Sequence, residues 1–291
     1  MQAVSVVSVV FPGPYLQSNM LRERIVVIIF LLPFILWVLV DGNWLFLVAI
    51  ITLLSLAAAE YGLMFRRHGL RPALPLLVLG VIALSISRFL HGFEHMPFLL
   101  TVLCLATLIW HLVDYEQGAL RSGTDFAVSV TGIIYLGWVG SYLISLRHLP
   151  EGEWWILVAL PSIWLADGAA YLVGRAIGHH PLTRRLSPNK TWEGYIAGII
   201  CGALGTAGLA MLWRIGAGFP STLSATRGLI VGATISTLAP LGDLGISMIK
   251  REIQVKDTGS LIPGHGGVLD RLDSWLWAGA IGFYLVSWLI T

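Results

Sequence analysis

The chain has 291 residues, of which 56% are hydrophobic and 12% charged, and its mean hydropathy is +0.81. Soluble domains are about 25% charged, so this composition describes an integral membrane protein and leaves no room for a large soluble domain. A net charge of +2 gives no reason to expect a nucleic-acid partner.

Residues 1–19 carry no basic residue ahead of their apolar run, which argues against a signal peptide. Met20 is followed by LRERIVVIIF, a plausible protein start in its own right. Residues 1–19 are therefore expected to be an extension of little functional weight, and residues 20–291 a single membrane domain. A span needs roughly 20 mostly apolar residues. Nine stretches qualify: 23–41, 43–60, 73–90, 97–113, 126–146, 154–175, 194–213, 228–249 and 274–290. The third is the weakest, because Arg88 lies near its end. The expected fold class is an all-α polytopic membrane bundle of nine transmembrane helices. Lys and Arg divide 14 to 4 between the N-terminus with the even loops and the odd loops, Arg88 being counted with the latter. That split places the N-terminus in the cytosol and the C-terminus outside. Trp44, Trp110, Trp154, Trp155, Trp192, Trp213, Trp275 and Trp288 fall near span ends, where indoles sit at headgroup level. Cys104 and Cys201 are isolated in apolar runs; they form neither a disulfide framework nor a zinc site, and read as small buried hydrophobes.

Three polar constellations stand out in chain order. In WLADGAAYLVGR, Asp167 lies eight residues before Arg175, or ~12 Å along a helix. Asp167, Tyr171 and Arg175 share one helix face. A carboxylate inside a membrane span is costly and marks a functional candidate, although a packing pair with a neighbouring span would also account for it. In LSPNKTWEGY, Ser187 and Pro188 look like the cap and first residue of the next helix. Lys190, Thr191 and Glu193 crowd the same helix start, where phosphate is readily bound. His179, His180, Arg184 and Arg185 read as a solvated basic face.

The third constellation begins at APLGDLGISMIKR. Asp243, Ser247 and Lys250 share a helix face, with Asp243 ~10 Å from the helix end, nearly the depth of Asp167. The following loop completes a 28-residue stretch, 247–274, that holds four basic residues, four acidic residues, one His and four Gly. The glycines around His265 allow backbone N–H groups to approach a ligand. Asp270 or Asp273 could simply cap the last helix. Capping does not explain the whole mixture of phosphate-type cations and hard oxygen donors. Carboxylates repel phosphate unless a divalent cation lies between them, and Mg²⁺ takes one or two carboxylates plus substrate phosphates. The reading is a metal–polyphosphate site set at the depth of a lipid headgroup.

Ser247, Lys250, Arg251, Lys256, Asp257, Gly259, His265, Gly266, Gly267, Asp270, Arg271, Leu272 and Asp273 fill the signature of the phosphatidate cytidylyltransferases, or CDP-diacylglycerol synthases, over 27 residues. The SPNKTWEG segment and Asp167 also resemble that family, and the resemblance covers residues 20–291. It implies an all-helical membrane homodimer that converts CTP and phosphatidate into CDP-diacylglycerol and pyrophosphate. It implies Asp243 and Asp270 as the Mg²⁺ ligands, with K⁺ as a candidate second ion. Asp243, Lys250, Asp257, Asp270 and Asp273 are the expected catalytic residues. Asp167, Ser187, Lys190, Thr191, Glu193, Ser247, Arg251, Lys256, His265, Gly266, Gly267 and Arg271 are the expected substrate-binding residues. His265 is either a donor to a phosphate oxygen or a turn residue, and Lys190 meets either the nucleotide or the lipid phosphate. The expected location is a bacterial inner membrane with the site facing the cytosol. A CTP-dependent lipid kinase, a relative acting on an isoprenoid phosphate, a transporter and a scaffold are the rival readings. The polar sites gather at one side and no repeat is evident, which disfavours a transporter.

Overall fold

The computed structural model describes residues 36–259 and 266–291. Residues 1–19, most of the first candidate span and His265 lie outside them. The elements are α1 (Trp44–Arg67), α2 (Leu74–His91), α3 (Met96–Glu116), α4 (Ser122–Gly132), a π-helical segment (Ile133–Val139), α5 (Tyr142–Arg147) and α6 (Gly152–Ile177). A hairpin of β1 (Pro181–Thr183) and β2 (Ser187–Thr191) follows. The chain continues with α7 (Trp192–Ala217), α8 (Ala225–Leu238), α9 (Pro240–Glu252) and α10 (Leu269–Ile290).

Among the described residues, seven helical segments are long and apolar enough to cross a membrane, and each coincides with one candidate span between residues 43 and 249. The ninth candidate is α10, whose charged first turn holds Asp270, Arg271 and Asp273; it is not one of the seven. Two of the seven are interrupted. Ser122–Arg147 passes through the π-helical segment. Ala225–Glu252 breaks at Ala239, where Pro240 opens α9. Proline lacks an N–H and its ring clashes with the preceding turn, so a helix restarts there more readily than it continues.

The close helix packing depends on small residues. The buried positions of α7 are Gly194, Gly198, Gly202, Thr206 and Ala210, one every four residues. Its large apolar residues, among them Ile196, Ile200 and Leu204, face outward. A methyl group on Gly198 would lie 2.9 Å from the Ala166 carbonyl oxygen of α6, and one on Gly202 would lie 2.0 Å from Ser236 Oγ of α8. Such a stripe lets helix backbones approach where lipid supplies no hydrophobic drive for association. The Tyr195 hydroxyl adds a tie from α7 to α8, donating to the Thr237 carbonyl at 2.6 Å.

Three sequence expectations are corrected by the packing. Arg88 is not a loop cation: it is 1% exposed within α2. Its guanidinium lies 3.6 Å from the Phe93 ring centre, with Tyr142 and Trp138 also close, and its Nε donates to Ser141. Cation–π attraction offsets part of the lost hydration. Cys104 and Cys201 are exposed, not buried. A membrane helix is apolar on every side, so membership of an apolar run does not say which face turns inward. Trp155 is fully buried and donates to Thr222 Oγ1 at 3.0 Å, so it is no headgroup anchor.

The small-residue seam yields a paired test. Gly198→Val should overpack the α6–α7 contact and cost about 1–3 kcal/mol. Gly208→Val, on the same helix with nothing within 4 Å of the added carbon, should be tolerated. Melting temperatures in detergent check the difference.

Candidate active site

The hairpin and the start of α7 present the first cation. β1 and β2 are antiparallel, with Pro181 opposite Thr191 and Thr183 opposite Ser187. Ser187 is therefore a strand residue and not the expected helix cap. The cap is Thr191, whose Oγ1 accepts from the Gly194 N–H at 3.2 Å. The pairing with β1 draws Ser187 and Pro188 out of the helix. Glu193 is used locally: it accepts from the His180 backbone N–H at 3.3 Å and pairs with His180 Nδ1 at 2.5 Å. That pair ties the residue before the hairpin to the start of α7, and Lys190 of β2 meets Asp243 of α9.

A cavity of about 630 Å³ opens between α6, the hairpin, α7, α8, α9 and α10. Asp167, Tyr171 and Arg175 line it from α6, as their shared helix face requires, and Arg175 donates to the Tyr171 hydroxyl at 3.3 Å. Asn189, Lys190 and Thr191 line it from the hairpin. Asp243 enters from the first turn of α9, immediately after the break at Pro240, and forms an ion pair with Lys190. Asp270 and Asp273 enter from the first turns of α10. Asp167 lies within electrostatic reach of both Lys190 and Asp243. The similar depths expected for Asp167 and Asp243 thus correspond to one shared cavity.

Asp270 is the most constrained of these acids. Its Oδ1 accepts from Lys250 Nζ at 2.6 Å, and both side chains are largely buried. Its Oδ2 accepts from the Thr258 N–H at 2.9 Å, Thr258 Oγ1 at 3.0 Å and the Gly267 N–H at 3.2 Å. Asp270 precedes the apolar run 274–290. Burial pushes its carboxyl up, but the Lys250 ammonium and the two backbone N–H groups outweigh that and hold it below the ordinary carboxylate value. Gly266 has φ +80°, a conformation that L side chains rarely adopt. A methyl group on Gly267 would meet Thr258 Oγ1 at 2.2 Å. These glycines admit close approach, as expected, but the group that the Gly267 N–H meets is the Asp270 carboxylate.

The remaining predicted residues sit around this centre. Lys250 is held by Asp270, outside the cavity lining. Ser247 is buried on α9. Arg251, Lys256, Asp257 and Arg271 are exposed, and Asp257 lies near Gly266. Two residues at the centre went unnoticed in the sequence. Thr258, 3% exposed, bridges to Asp270, and Glu60 of α1, also 3% exposed, sits behind it. Glu60 was legible in principle as an acid in an apolar helix, but it fell on the last residue of a candidate span and read as a boundary.

The donor chemistry fits a hard divalent cation in one particular way. Among the described residues, no three His, Cys, Asp or Glu side chains converge to hold a metal by themselves. Two or more cavity carboxylates, Asp243 and Asp270 with Asp273 nearby, suit Mg²⁺ shared with substrate phosphates, the mode in which protein supplies only part of the coordination.

The chain can now be set beside known proteins. Residues 22–289 match the cytidylyltransferase family. A Synechocystis protein named phosphatidate cytidylyltransferase is 31% identical over 284 residues, covering 87% of this chain and 92% of that protein. The Mycobacterium tuberculosis protein of the same name is 30% identical over 270 residues, covering 87% of this chain and 76% of that protein. The Bacillus subtilis protein of that name is 37% identical over 155 residues, about half of each chain. With a match that runs through nearly the whole bundle and its acid-lined cavity, the chain belongs to the cytidylyltransferase family.

Proposed function

We propose that this chain transfers the cytidylyl group of CTP to phosphatidate, releasing pyrophosphate and leaving CDP-diacylglycerol in the membrane. The observation that carries the reading is the cavity itself. Four carboxylates and the Lys190 ammonium meet there inside an apolar bundle, and the relatives that align with most of the chain are named for this reaction.

The phosphatidate phosphate oxygen attacks the α-phosphorus of CTP in line, and pyrophosphate departs. The nucleophile is already anionic at neutral pH, so no strong general base is needed. Asp243 and Asp270 would hold Mg²⁺, which supplies charge neutralisation at the reacting phosphorus and screens the acids from the phosphates. Lys190 and Arg175 line the cavity and would receive phosphate oxygens. Lys250 orients Asp270 through their ion pair. Thr191 and Asn189 offer neutral hydrogen-bonding groups at the same mouth. Arg251, Lys256 and Arg271, exposed near the loop, would draw in the triphosphate and the lipid headgroup. Asp257 and Asp273 complete the acidic set. The reading includes a site on the cytosolic face of a bacterial inner membrane, supported by the 14 to 3 basic split that is left once the buried Arg88 is set aside. It also includes a homodimer, with K⁺ as a candidate second ion.

The defining experiment uses purified protein, CTP labelled at the α-phosphate, and phosphatidate micelles. Label should enter the lipid as pyrophosphate is released. Label found only as CDP or CMP would overturn the reading. Chelation with EDTA should stop turnover, and added Mg²⁺ should restore it. Asp243→Asn and Asp270→Asn should each abolish turnover. Asp270→Asn, which leaves Lys250 buried without its partner, should also lower the melting temperature. Asp243→Asn, at a pair about one third exposed, should change it little. A near-normal rate at saturating Mg²⁺ would remove the metal assignment. Lys250→Ala should lower the rate far more than Arg67→Ala, an exposed basic residue remote from the cavity. Equal losses would mean that general surface charge, not this site, explains Lys250.

A further inference from the structure

Glu60 is a carboxylate in the middle of an apolar packing environment. It lies on α1, flanked by the buried residues Ala57, Ala58, Tyr61 and Met64, and is itself 3% exposed. An acid at such a position is retained only where other groups make use of it. Its Oε2 accepts from the Leu269 N–H at 2.9 Å, the first residue of α10. The Thr258 hydroxyl lies 3.4 Å from the same oxygen. Among the described residues its Oε1 has no hydrogen-bond partner. The adjoining loop is shaped around the carboxylate: an added methyl would fall 2.5 Å from Oε1 on Gly259 and 2.6 Å from Oε2 on Gly267.

Among the described residues, both groups within hydrogen-bonding distance of Glu60 lead to Asp270. Leu269 is the residue before it. Thr258 donates to Asp270 through both its N–H and its hydroxyl, and the Gly267 N–H donates to the same oxygen. The Thr258 hydroxyl has one proton and stands between two carboxylates, at 3.0 Å from Asp270 and 3.4 Å from Glu60. It can serve only one of them at a time. Glu60 therefore does two things. It places a negative charge against the N-terminus of α10, where the helix dipole favours it. It also packs against Gly259 and Gly267, beside the Thr258 and Gly267 donors that hold the Asp270 carboxylate at the edge of the cavity.

We propose that Glu60 is a positioning residue for this site, acting through Thr258 and the first turn of α10 to hold Asp270 in its working orientation. The inference rests on the reading of Asp270 as a metal-binding acid. It assigns a role to α1, which contributes nothing to the cavity lining. Glu60 would touch neither substrate nor metal.

The test uses the full chain with Glu60→Gln, Glu60→Ala, Thr258→Val and Thr258→Ser. Four quantities are read: kcat, KM for CTP, the Mg²⁺ concentration for half-maximal activity, and the Mg²⁺-induced rise in Tm without substrates. Loss of groups that orient metal ligands commonly costs about 10–100-fold in metal affinity or activity. Glu60→Ala and Thr258→Val should each lower kcat at least about tenfold and raise the Mg²⁺ requirement, with KM for CTP nearly unchanged. Thr258→Ser should recover most of the loss. Glu60→Gln keeps an acceptor for the Leu269 N–H, so it should fold and show an intermediate defect. A folded Glu60→Gln with wild-type kcat and wild-type Mg²⁺ dependence would overturn the proposal, and would do so even if Glu60→Ala failed to fold. A wild-type chain that makes no lipid product would overturn the reaction reading instead. The Mg²⁺-induced Tm rise would then decide Glu60 by itself: a rise that is smaller in the variants supports the role, and equal rises or none in the wild type reject it.

Discussion

Placing carboxylates inside an apolar bundle is the constraint on which this structure turns. Asp167, Asp243, Asp270 and Asp273 share one cavity. Asp273 is buried, Asp243 and Asp270 are half-buried and Asp167 is exposed, and a charge withdrawn from water without a partner is disfavoured. Two lysines from separate segments meet two of the four acids, Lys190 from the hairpin and Lys250 from α9. Each pair crosses between elements: Lys190 links the hairpin to α9, and Lys250 links α9 to α10. The ion pairs thus set where α9 lies relative to its neighbours. Removing either lysine would leave a carboxylate facing other carboxylates.

α8 and α9 are joined by the single residue Ala239, whose backbone is itself helical, and Pro240 opens α9 so that Asp243 lies in its first turn. The cavity needs close helix backbones as well. The glycine stripe of α7 brings α6 and α8 near enough that Asp167 and Ser236 face the same space. Backbone chemistry at a proline and side-chain absence at glycines therefore position the acids as surely as the lysines do.

Much of this was legible in the sequence because membrane burial simplifies the reading. Long apolar runs announced the helices from Trp44 to Glu252, and the periodicity of Asp167, Tyr171 and Arg175 correctly put them on one face. The mixed-charge loop singled itself out against a chain with few charges. What escaped has definite physical causes. Apolar runs do not distinguish a face turned to neighbours from one turned outward, so Cys104 and Cys201 were misplaced. The strand pairing of Ser187 with Thr183 is a contact between residues that each look like ordinary turn or cap formers. Arg88 read as a boundary because an aromatic enclosure gathered from Phe93, Trp138 and Tyr142 has no local sequence signal. Glu60 escaped for a similar reason: its partners, Thr258 and Leu269, lie about two hundred residues away.

The charge balance of the cavity bears on what can enter it. Four acids line the space, and the cations that face or pair with them are Lys190, Arg175 and Lys250. A nucleoside triphosphate and a lipid phosphate would each add negative charge to a region of low dielectric, where like-charge repulsion is strong. Lysine pairing alone does not offset this, because a lysine that turns to a phosphate abandons its carboxylate. A divalent cation changes the balance, since one ion can be shared by a carboxylate and a phosphate oxygen at once. Asp243 and Asp270 would hold such an ion, which would supply charge neutralisation, while Lys190 lines the same cavity and Lys250 stays paired with Asp270 outside it. The two ion pairs hold Asp243 and Asp270 in place at the cavity, Lys190 from the hairpin and Lys250 from α9, with Asp167 and Asp273 lining the same space.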